Sequence, residues 1–168
     1  EYGKKEDLMK VLQKKQDRIL YLEGMAGRLR SGGKSADELV QMCQSDLVQV
    51  MGKGEVEVTI YTEKGLVRHN RGTAPVETVD GLDEIARWLD EHRTALLVNN
   101  LTHDIRFTPG FGKTRQIMSL VAVPLVWEGA LKGTLRLTSV QPQAFSHEDL
   151  RLVSEASSLL VPSLFGNP

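Results

Sequence analysis

The sequence predicts an α+β fold, in which helices flank a central antiparallel sheet of about five to six strands and one long helix precedes the sheet. Two patterns predict the sheet: apolar and polar residues alternate over residues 56–61, and near-apolar runs lie on both sides of Glu128-Gly129. Strands joined by such tight turns pair antiparallel. Between the strands, apolar residues recur at helical spacing, which predicts helices packed on the sheet.

Residues 4–30 predict one long amphipathic helix, which we assign to a linker of residues 1–33 ahead of a domain of residues 34–168. Its apolar side chains follow a heptad spacing that Lys15 interrupts. This spacing forms a narrow apolar seam along one face of the helix, which is typical of a coiled coil. We expect this seam to form the interface of a homodimer, aided by the C-terminal helix. The seam residues are Leu8, Leu12, Ile19, Leu22, Ala26 and Leu29. The alternative is a helix that packs on its own domain.

The first half of the domain predicts two helices and a hairpin. Ser35 and Glu38 have the spacing of a capping box, so a helix is predicted over residues 36–51, ending at Gly52. Residues 56–61 and 66–70 predict the two strands of a hairpin around a turn at 62–65. Apolar residues at helical spacing predict another helix over residues 80–92, whose acidic start suits the helix dipole.

The second half predicts three strands and a last helix. A short apolar strand at residues 95–98 precedes a long polar loop over residues 99–116. Residues 117–127 and 130–140 then predict two strands around a glycine turn. Ser146 is placed to cap a final helix whose apolar residues share one face, and we expect that helix to end at Pro162.

The composition argues against several classes of function. The 168 residues include 21 Lys and Arg against 22 Asp and Glu, and a net charge of -1 gives no overall attraction to nucleic acid. A single cysteine excludes an internal disulfide framework and a zinc site built from several thiolates. The longest near-apolar run, residues 120–127, is too short to cross a bilayer, and no secretory signal is visible. We therefore expect a cytoplasmic segment without membrane contact.

Catalytic motifs are not apparent in the sequence. Gly112-Lys113-Thr114 and Gly33-Lys34-Ser35 end like a phosphate-binding loop, but Phe107 and Arg28 stand where that motif requires a glycine. No nucleophile and base are spaced as a catalytic pair, and the four histidines are not spaced as metal ligands. We therefore expect no catalytic residue and no metal site.

The last third of the chain resembles a known domain. The run Ser119-Leu120-Val121-Ala122-Val123-Pro124-Leu125, the strand Gly133-Thr134-Leu135-Arg136-Leu137 and the helix start Phe145-Ser146-His147-Glu148-Asp149 resemble the C-terminal half of a GAF domain. Upstream, Asp104-Ile105-Arg106-Phe107 lies where that family carries a loop with Asp and Arg. The resemblance covers about residues 36–165. It implies a non-catalytic sensory or regulatory module of a signalling protein, which relays a ligand's presence through dimeric helices to an output domain.

The resemblance and the local charge together indicate a ligand site. Between Thr102 and Arg136, five basic residues outnumber two acidic ones, which favours an anionic small molecule. We expect ligand contacts from Asn99, His103, Asp104, Arg106, Arg115, Ser119, Arg136 and Thr138. GAF relatives that reduce free methionine sulfoxide or hold a bilin use pocket-loop cysteines, which this chain lacks, and no cofactor is identified. The alternative is a ligand-free dimerisation module whose pocket is filled by side chains.

Overall fold

A computed structural model describes residues 2–166, apart from the side chains of Tyr2 and Thr114. Residues 1, 167 and 168, which belong to the predicted linker and domain, lie outside the described residues. Within the described part, the α-helices are α1 Tyr2–Ser31, α2 Ala36–Met51, α3 Glu84–His92 and α4 His147–Phe165. The strands there are β1 Glu55–Thr62, β2 Gly65–Asn70, β3 Val76–Thr78, β4 Leu96–Val98, β5 Ser119–Trp127 and β6 Ala130–Ser139.

The strands form one antiparallel sheet in the order β3-β2-β1-β6-β5-β4. The hairpins β1–β2 and β5–β6 arise at the tight turns that the sequence predicts, and β1 and β6 pair at the centre. The predicted α+β fold, with its flanking helices and long first helix, is confirmed.

The two faces of the sheet differ because successive residues of a strand point to opposite sides. One face is apolar: Val58, Val123 and Leu135 are buried in a core shared with α1, α2 and α4. The other face, which we call the polar face, carries Glu57 of β1 opposite Arg136 of β6. The helix α3 and the β4–β5 loop, residues 99–118, cover part of this second face.

The first helix is anchored through its C-terminal half. Met25 is fully buried in the core, and Leu22 and Leu29 are half-buried against it. The seam residues nearer the N-terminus are more than half exposed, namely Leu8, Leu12 and Ile19. The predicted seam is thus divided: its C-terminal part packs on the helix's own domain, and its N-terminal part is open to solvent.

Two elements begin later than the sequence predicts. The helix α3 starts four residues later, because the side chain of Asp83 caps it by accepting a hydrogen bond from the backbone nitrogen of Ala86. The strand β5 starts at Ser119, two residues later than predicted. The reason is that the backbone nitrogen of Ile117 turns back to donate to the carbonyl of Gly112.

Helix α4 is longer than the sequence predicts, and strand β3 is not predicted at all. The helix α4 continues through Pro162 to Phe165, although proline has no N–H to donate to the preceding turn. The sequence does not predict β3, because its three residues are too few for a visible alternation. Pairing with β2 holds β3 at the edge of the sheet.

Candidate functional site

A cavity of about 200 Å³ lies between the polar face of the sheet, the N-terminal end of α3 and the β4–β5 loop. Its polar lining residues are Glu57, Asp83, Arg115, Arg136 and Thr138. Its main apolar lining residues are Ile85, Leu101, Phe111, Ile117 and Leu120. The cavity therefore offers both charged groups and a hydrocarbon surface to a small molecule.

Strand register brings several lining residues together on the polar face. Glu57 lies opposite Arg136, and Thr138 lies opposite Leu120 of β5. Residues two apart on a strand share a face, so Arg136 and Thr138 both border the cavity. Charged side chains consequently line the cavity at β1, at β6, at the cap of α3 and, through Arg115, in the loop. Apolar side chains line it at β5, in α3 and elsewhere in the loop.

Arg136 and Asp83 form a bidentate ion pair at this site, in which the guanidinium group is buried and the carboxylate is partly exposed. Arg136 Nη1 donates to Asp83 Oδ2 and Nη2 donates to Oδ1, each at 2.7 Å. Burial opposes the charge of Arg136, yet its hydrogen bonds to Asp83, together with the negative charges of Asp83 and Glu57, outweigh burial and raise its pKa. Burial likewise opposes the charge of Asp83, but the same bonds hold its pKa below the usual value. Both groups are therefore charged at neutral pH.

A second ion pair joins Glu57 to Arg115 of the β4–β5 loop. Arg115 Nη1 donates to Glu57 Oε2 at 2.7 Å. The Glu57 side chain is 11% exposed, whereas that of Arg115 is 47% exposed. Solvent therefore reaches the guanidinium side of the pair and weakens it, although the carboxylate is buried. One of the contacts between the loop and the sheet is thus an ion pair that is open to solvent on its arginine side.

Arg68 of β2 adds a third guanidinium group beside Glu57. Its Nε lies 3.5 Å from Glu57 Oε1. Within residues 2–166 that Nε is a buried donor without a hydrogen-bond partner, a condition that costs about 1–3 kcal/mol. Three guanidinium groups thus face the carboxylates of Glu57 and Asp83, which leaves an excess of positive charge around the cavity.

Local contacts hold the β4–β5 loop over the cavity. Gly112 has a φ of 80°, which glycine adopts without steric cost, and a Cβ there would lie 2.5 Å from Leu101 Cδ2. The backbone nitrogen and the hydroxyl of Thr108 both donate to Glu84 Oε1 at 2.8 Å. The loop is thus fixed to the first turn of α3 through Thr108, and within the loop Gly112 packs closely against Leu101.

The structure places three of the eight predicted ligand residues at the cavity, namely Arg115, Arg136 and Thr138. Asp104 and Arg106 instead bind each other, with the Arg106 Nε donating to Asp104 Oδ1 at 2.9 Å. This hydrogen bond lowers the pKa of Asp104. Arg106 Nη2 also donates to the carbonyl of Leu97 in β4, at 3.1 Å, so its contacts lie at the edge of the sheet.

The remaining three predicted residues are not among those that line the cavity. The hydroxyl of Ser119 donates to the carbonyl of Gln141 at 2.6 Å and accepts a hydrogen bond from the backbone nitrogen of Ala144 at 3.3 Å. Ser119 therefore fastens β5 to the segment that precedes α4. Asn99 and His103 are exposed.

Sequence reasoning does not identify Glu57, Asp83 or Arg68 as site residues. Glu57 is one polar position of an alternating strand, and Asp83 is one of several acidic residues near a helix start. Their partners lie 58 residues away for Glu57 and 53 residues away for Asp83. Short-range patterns do not contain contacts at such separations.

Outside the cavity, the described residues offer no reactive thiol, no metal-binding cluster and no membrane-spanning helix. Cys43 is fully buried, and burial raises the pKa of its thiol to about 12, so its reactive thiolate form is suppressed. Among residues 2–166, no group of three or more His, Cys, Asp or Glu is placed to hold a metal ion. None of the described helices combines the length and the apolar character needed to span a membrane.

Solved structures share this fold. A GAF domain from an Acinetobacter phosphoenolpyruvate-protein phosphotransferase is 15% identical with a TM-score of 0.63, over 88% of this chain and 92% of that one. The free methionine-R-sulfoxide reductase of Neisseria meningitidis, in complex with its substrate, is 13% identical with a TM-score of 0.65, over 88% and 89%. The phycoerythrobilin-bound GAF domain of a cyanobacterial phytochrome is 14% identical with a TM-score of 0.64, over 88% and 93%.

At these identities the likeness concerns the fold alone. A search of curated protein sequences finds no match. A family model for the GAF domain, however, matches residues 34–163. That stretch begins one residue before the Ser35 cap of α2, contains the whole sheet and ends within α4. The chain therefore belongs to the GAF domain family.

Proposed function

We propose that this GAF domain is a non-catalytic regulatory module that binds a small anionic ligand between the sheet and the β4–β5 loop. The observation that carries the proposal is the position of Arg115. Its guanidinium group borders the cavity from the loop and pairs with Glu57, while about half of the arginine side chain is exposed to solvent. A ligand that takes Arg115 as its partner therefore changes what fastens the loop to the sheet.

The size of the cavity favours a ligand of few carbon atoms. Its volume of about 200 Å³ is below the roughly 300–1,000 Å³ of pockets for drug-sized molecules. Two of the solved relatives carry small molecules, a substrate in the Neisseria meningitidis reductase and phycoerythrobilin in the phytochrome domain. They support a ligand-holding use of this fold without indicating the ligand of this chain.

A regulatory role fits the chemistry of the site better than catalysis. The charged groups of the cavity pair with one another, as carboxylate with guanidinium, rather than as nucleophile with base. The thiol of Cys43 lies in the opposite core, beneath the apolar face of the sheet. Turnover of a substrate by the purified chain would overturn this part of the proposal.

The long helix is the proposed route from the cavity to a second copy and an output domain. Leu8, Leu12 and Ile19 leave an apolar stripe exposed at the spacing of a coiled coil. Further along α1, Arg18 binds the buried carboxylate of Asp149 in α4. A ligand changes this relay only if it binds one arrangement of the helices better than another.

A ligand-free dimerisation module is the second candidate. The pair of Arg136 and Asp83 favours it, because both hydrogen bonds of that pair are complete without a ligand. Glu57 gives Arg115 a partner in the same way. In this case the cavity is a gap in packing, and the domain acts through its helices alone.

A thermal-unfolding screen separates the two candidates. The panel consists of short carboxylates, phosphate, nucleotides and amino acids, and a ligand at 100 times its Kd stabilises the fold by about 2.7 kcal/mol. We expect stabilisation by a small anion that Arg115→Ala abolishes. Arg106→Ala is the matched control, since Arg106 lies on the same loop with similar exposure but outside the cavity lining. No shift from any member of the panel would favour the dimerisation module.

A further inference from the structure

We propose that Glu57 is an internal anion that occupies Arg115 until a ligand replaces it, and that this ligand is a monocarboxylate with a short apolar chain. This inference rests on the proposed binding function and assigns a ligand class to the same cavity. It follows from three features of the site: the two partners of Glu57, the difference between Arg115 and Arg136, and the charge that remains after exchange.

The two carboxylate oxygens of Glu57 have different partners. Oε2 accepts a hydrogen bond from Arg115 at 2.7 Å, whereas Oε1 lies 3.5 Å from the unpartnered Nε of Arg68. When an incoming carboxylate takes Arg115, Glu57 is free to complete a hydrogen bond with Arg68. Each carboxylate then has a guanidinium partner, so the exchange leaves no buried charge alone.

Arg115 is the exchangeable cation of the cavity. Its side chain is about half exposed, and it donates one hydrogen bond, of 2.7 Å, to Glu57. Arg136 is 10% exposed and binds both oxygens of Asp83. Bidentate pairs of this kind are strong and directional. An anion that enters the cavity therefore displaces Glu57 from Arg115 and leaves the pair of Arg136 and Asp83 intact.

The charge and shape of the cavity select the ligand class. Glu57 and Asp83 remain at the wall after the exchange, so a second negative charge on the ligand is repelled. Ile85 and Leu120, which are both buried, supply hydrocarbon surface for an apolar chain. A short monocarboxylate satisfies both conditions, whereas phosphate and dicarboxylates carry too much charge and too little apolar surface.

Butyrate is the probe, and calorimetric titration measures its Kd for the whole chain. The first variant is Glu57→Gln, which removes the competing charge. We expect it to bind butyrate at least about fivefold more tightly than the unmodified chain, because the competing carboxylate is buried and fivefold is the upper effect of a fully exposed ion pair. Glu55→Gln is the control, because Glu55 lies exposed on the same strand and outside the cavity. Butylamine and succinate, added in place of butyrate, are expected to bind more weakly to both proteins.

A second variant covers the case in which Glu57→Gln does not fold. Arg68→Gln removes the residue to which Glu57 moves, so we expect weaker butyrate binding although Arg68 does not line the cavity. Arg71→Gln, an exposed change just after β2, controls for the lost positive charge. Hydrogen exchange adds a second measurement: amides of residues 108–118 are expected to exchange faster in Glu57→Gln, and butyrate is expected to restore their protection.

The outcomes separate this inference from the proposed function. Weaker butyrate binding by Glu57→Gln would overturn the internal-anion role, because Glu57 would then be a ligand contact, and the binding function would stand. Binding of phosphate or succinate in preference to butyrate would overturn the ligand class alone. Preference for butylamine, or no response to any anion in the unmodified chain and the variants, would overturn both.

Discussion

Arg136 binds both carboxylate oxygens of Asp83, at 2.7 Å each, and so fastens the centre of the sheet to the cap of α3. The two partners differ in environment, since the Arg136 side chain is 10% exposed and that of Asp83 is 41% exposed. Removing either one therefore leaves a different charge without its partner. Because burial makes an unpaired charge costly, the loss of Asp83 has the larger effect.

Asp83→Asn is expected to lower the free energy of unfolding by about 3 kcal/mol, since it leaves the buried guanidinium unpaired. Asparagine still caps a helix, so the loss does not come from the cap. Arg136→Met is expected to cost about 1–2 kcal/mol, because water reaches the remaining Asp83 carboxylate. Urea denaturation of both variants measures the difference. Equal losses, or a larger loss for Arg136→Met, would contradict the role assigned to burial.

Asp149 is expected to make the free energy of unfolding depend on pH in the acidic range. Its buried carboxylate binds Arg18 and Lys53 and accepts a hydrogen bond from the backbone nitrogen of Ser146. Burial opposes its charge, but these partners hold its pKa below the usual value. A folded pKa below the unfolded value of about 3.9 gives stability that is present above that pH and lost as pH falls through the folded pKa.

Asp149→Asn tests this linkage. We expect it to lower the free energy of unfolding by about 3 kcal/mol at pH 7. This value is at the lower end of the range for breaking a buried ion pair, because the partner Lys53 is partly exposed to solvent. As the pH falls from about 5 through the folded pKa of Asp149, the unmodified chain loses stability faster, so the gap between the two proteins narrows. Denaturant unfolding at several pH values measures it. A gap that stays constant down to low pH would contradict the assignment.

Gly112 is expected to tolerate a side chain less well than Gly110. Gly110 has a φ of 87° and Gly112 has a φ of 80°, so alanine at either position costs about 1–2 kcal/mol in backbone strain. At Gly112 the added Cβ also meets the buried Leu101, which adds about 1 kcal/mol. At Gly110 it meets nothing within 4 Å. Thermal unfolding of Gly112→Ala and Gly110→Ala isolates this contact, and identical losses would remove it from the account of the loop.

The exposed seam of α1 is expected to hold two copies together. Leu12→Glu places a charge in the seam, so we expect it to convert a dimer to a monomer in light scattering. Leu20→Glu is the control, because Leu20 is equally exposed on the same helix but outside the heptad positions. A monomeric unmodified chain at high concentration would contradict the coiled-coil interpretation.

Local patterns in the sequence predict the fold well because each major element carries its own signal. Ser35 with Glu38 and Ser146 with Asp149 form the capping boxes of α2 and α4, and the alternation at residues 56–61 forms β1. The predicted end of α4 at Pro162 is wrong: prolines end many helices, but α4 continues beyond this one to Phe165. Packing against the sheet, which a local pattern does not contain, outweighs the lost hydrogen bond there.

The candidate site follows from the sequence only in part. Arg115 and Arg136 are visible as cations in a basic region, but the same reasoning selects Arg106, which pairs with Asp104 two residues away. Which arginine reaches the cavity depends on how the β4–β5 loop folds. Glu57 enters the site through the register of β1 with β6, which appears only once the strand order is known.

The most direct test of the account is a methyl NMR titration with butyrate. Binding in the cavity shifts the methyl signals of Ile85, Leu101 and Ile117 in a saturable way, and Arg115→Ala abolishes these shifts. Cavity methyl signals that do not move, or that move equally in Arg115→Ala, would contradict the claim that this cavity binds a small anion through Arg115.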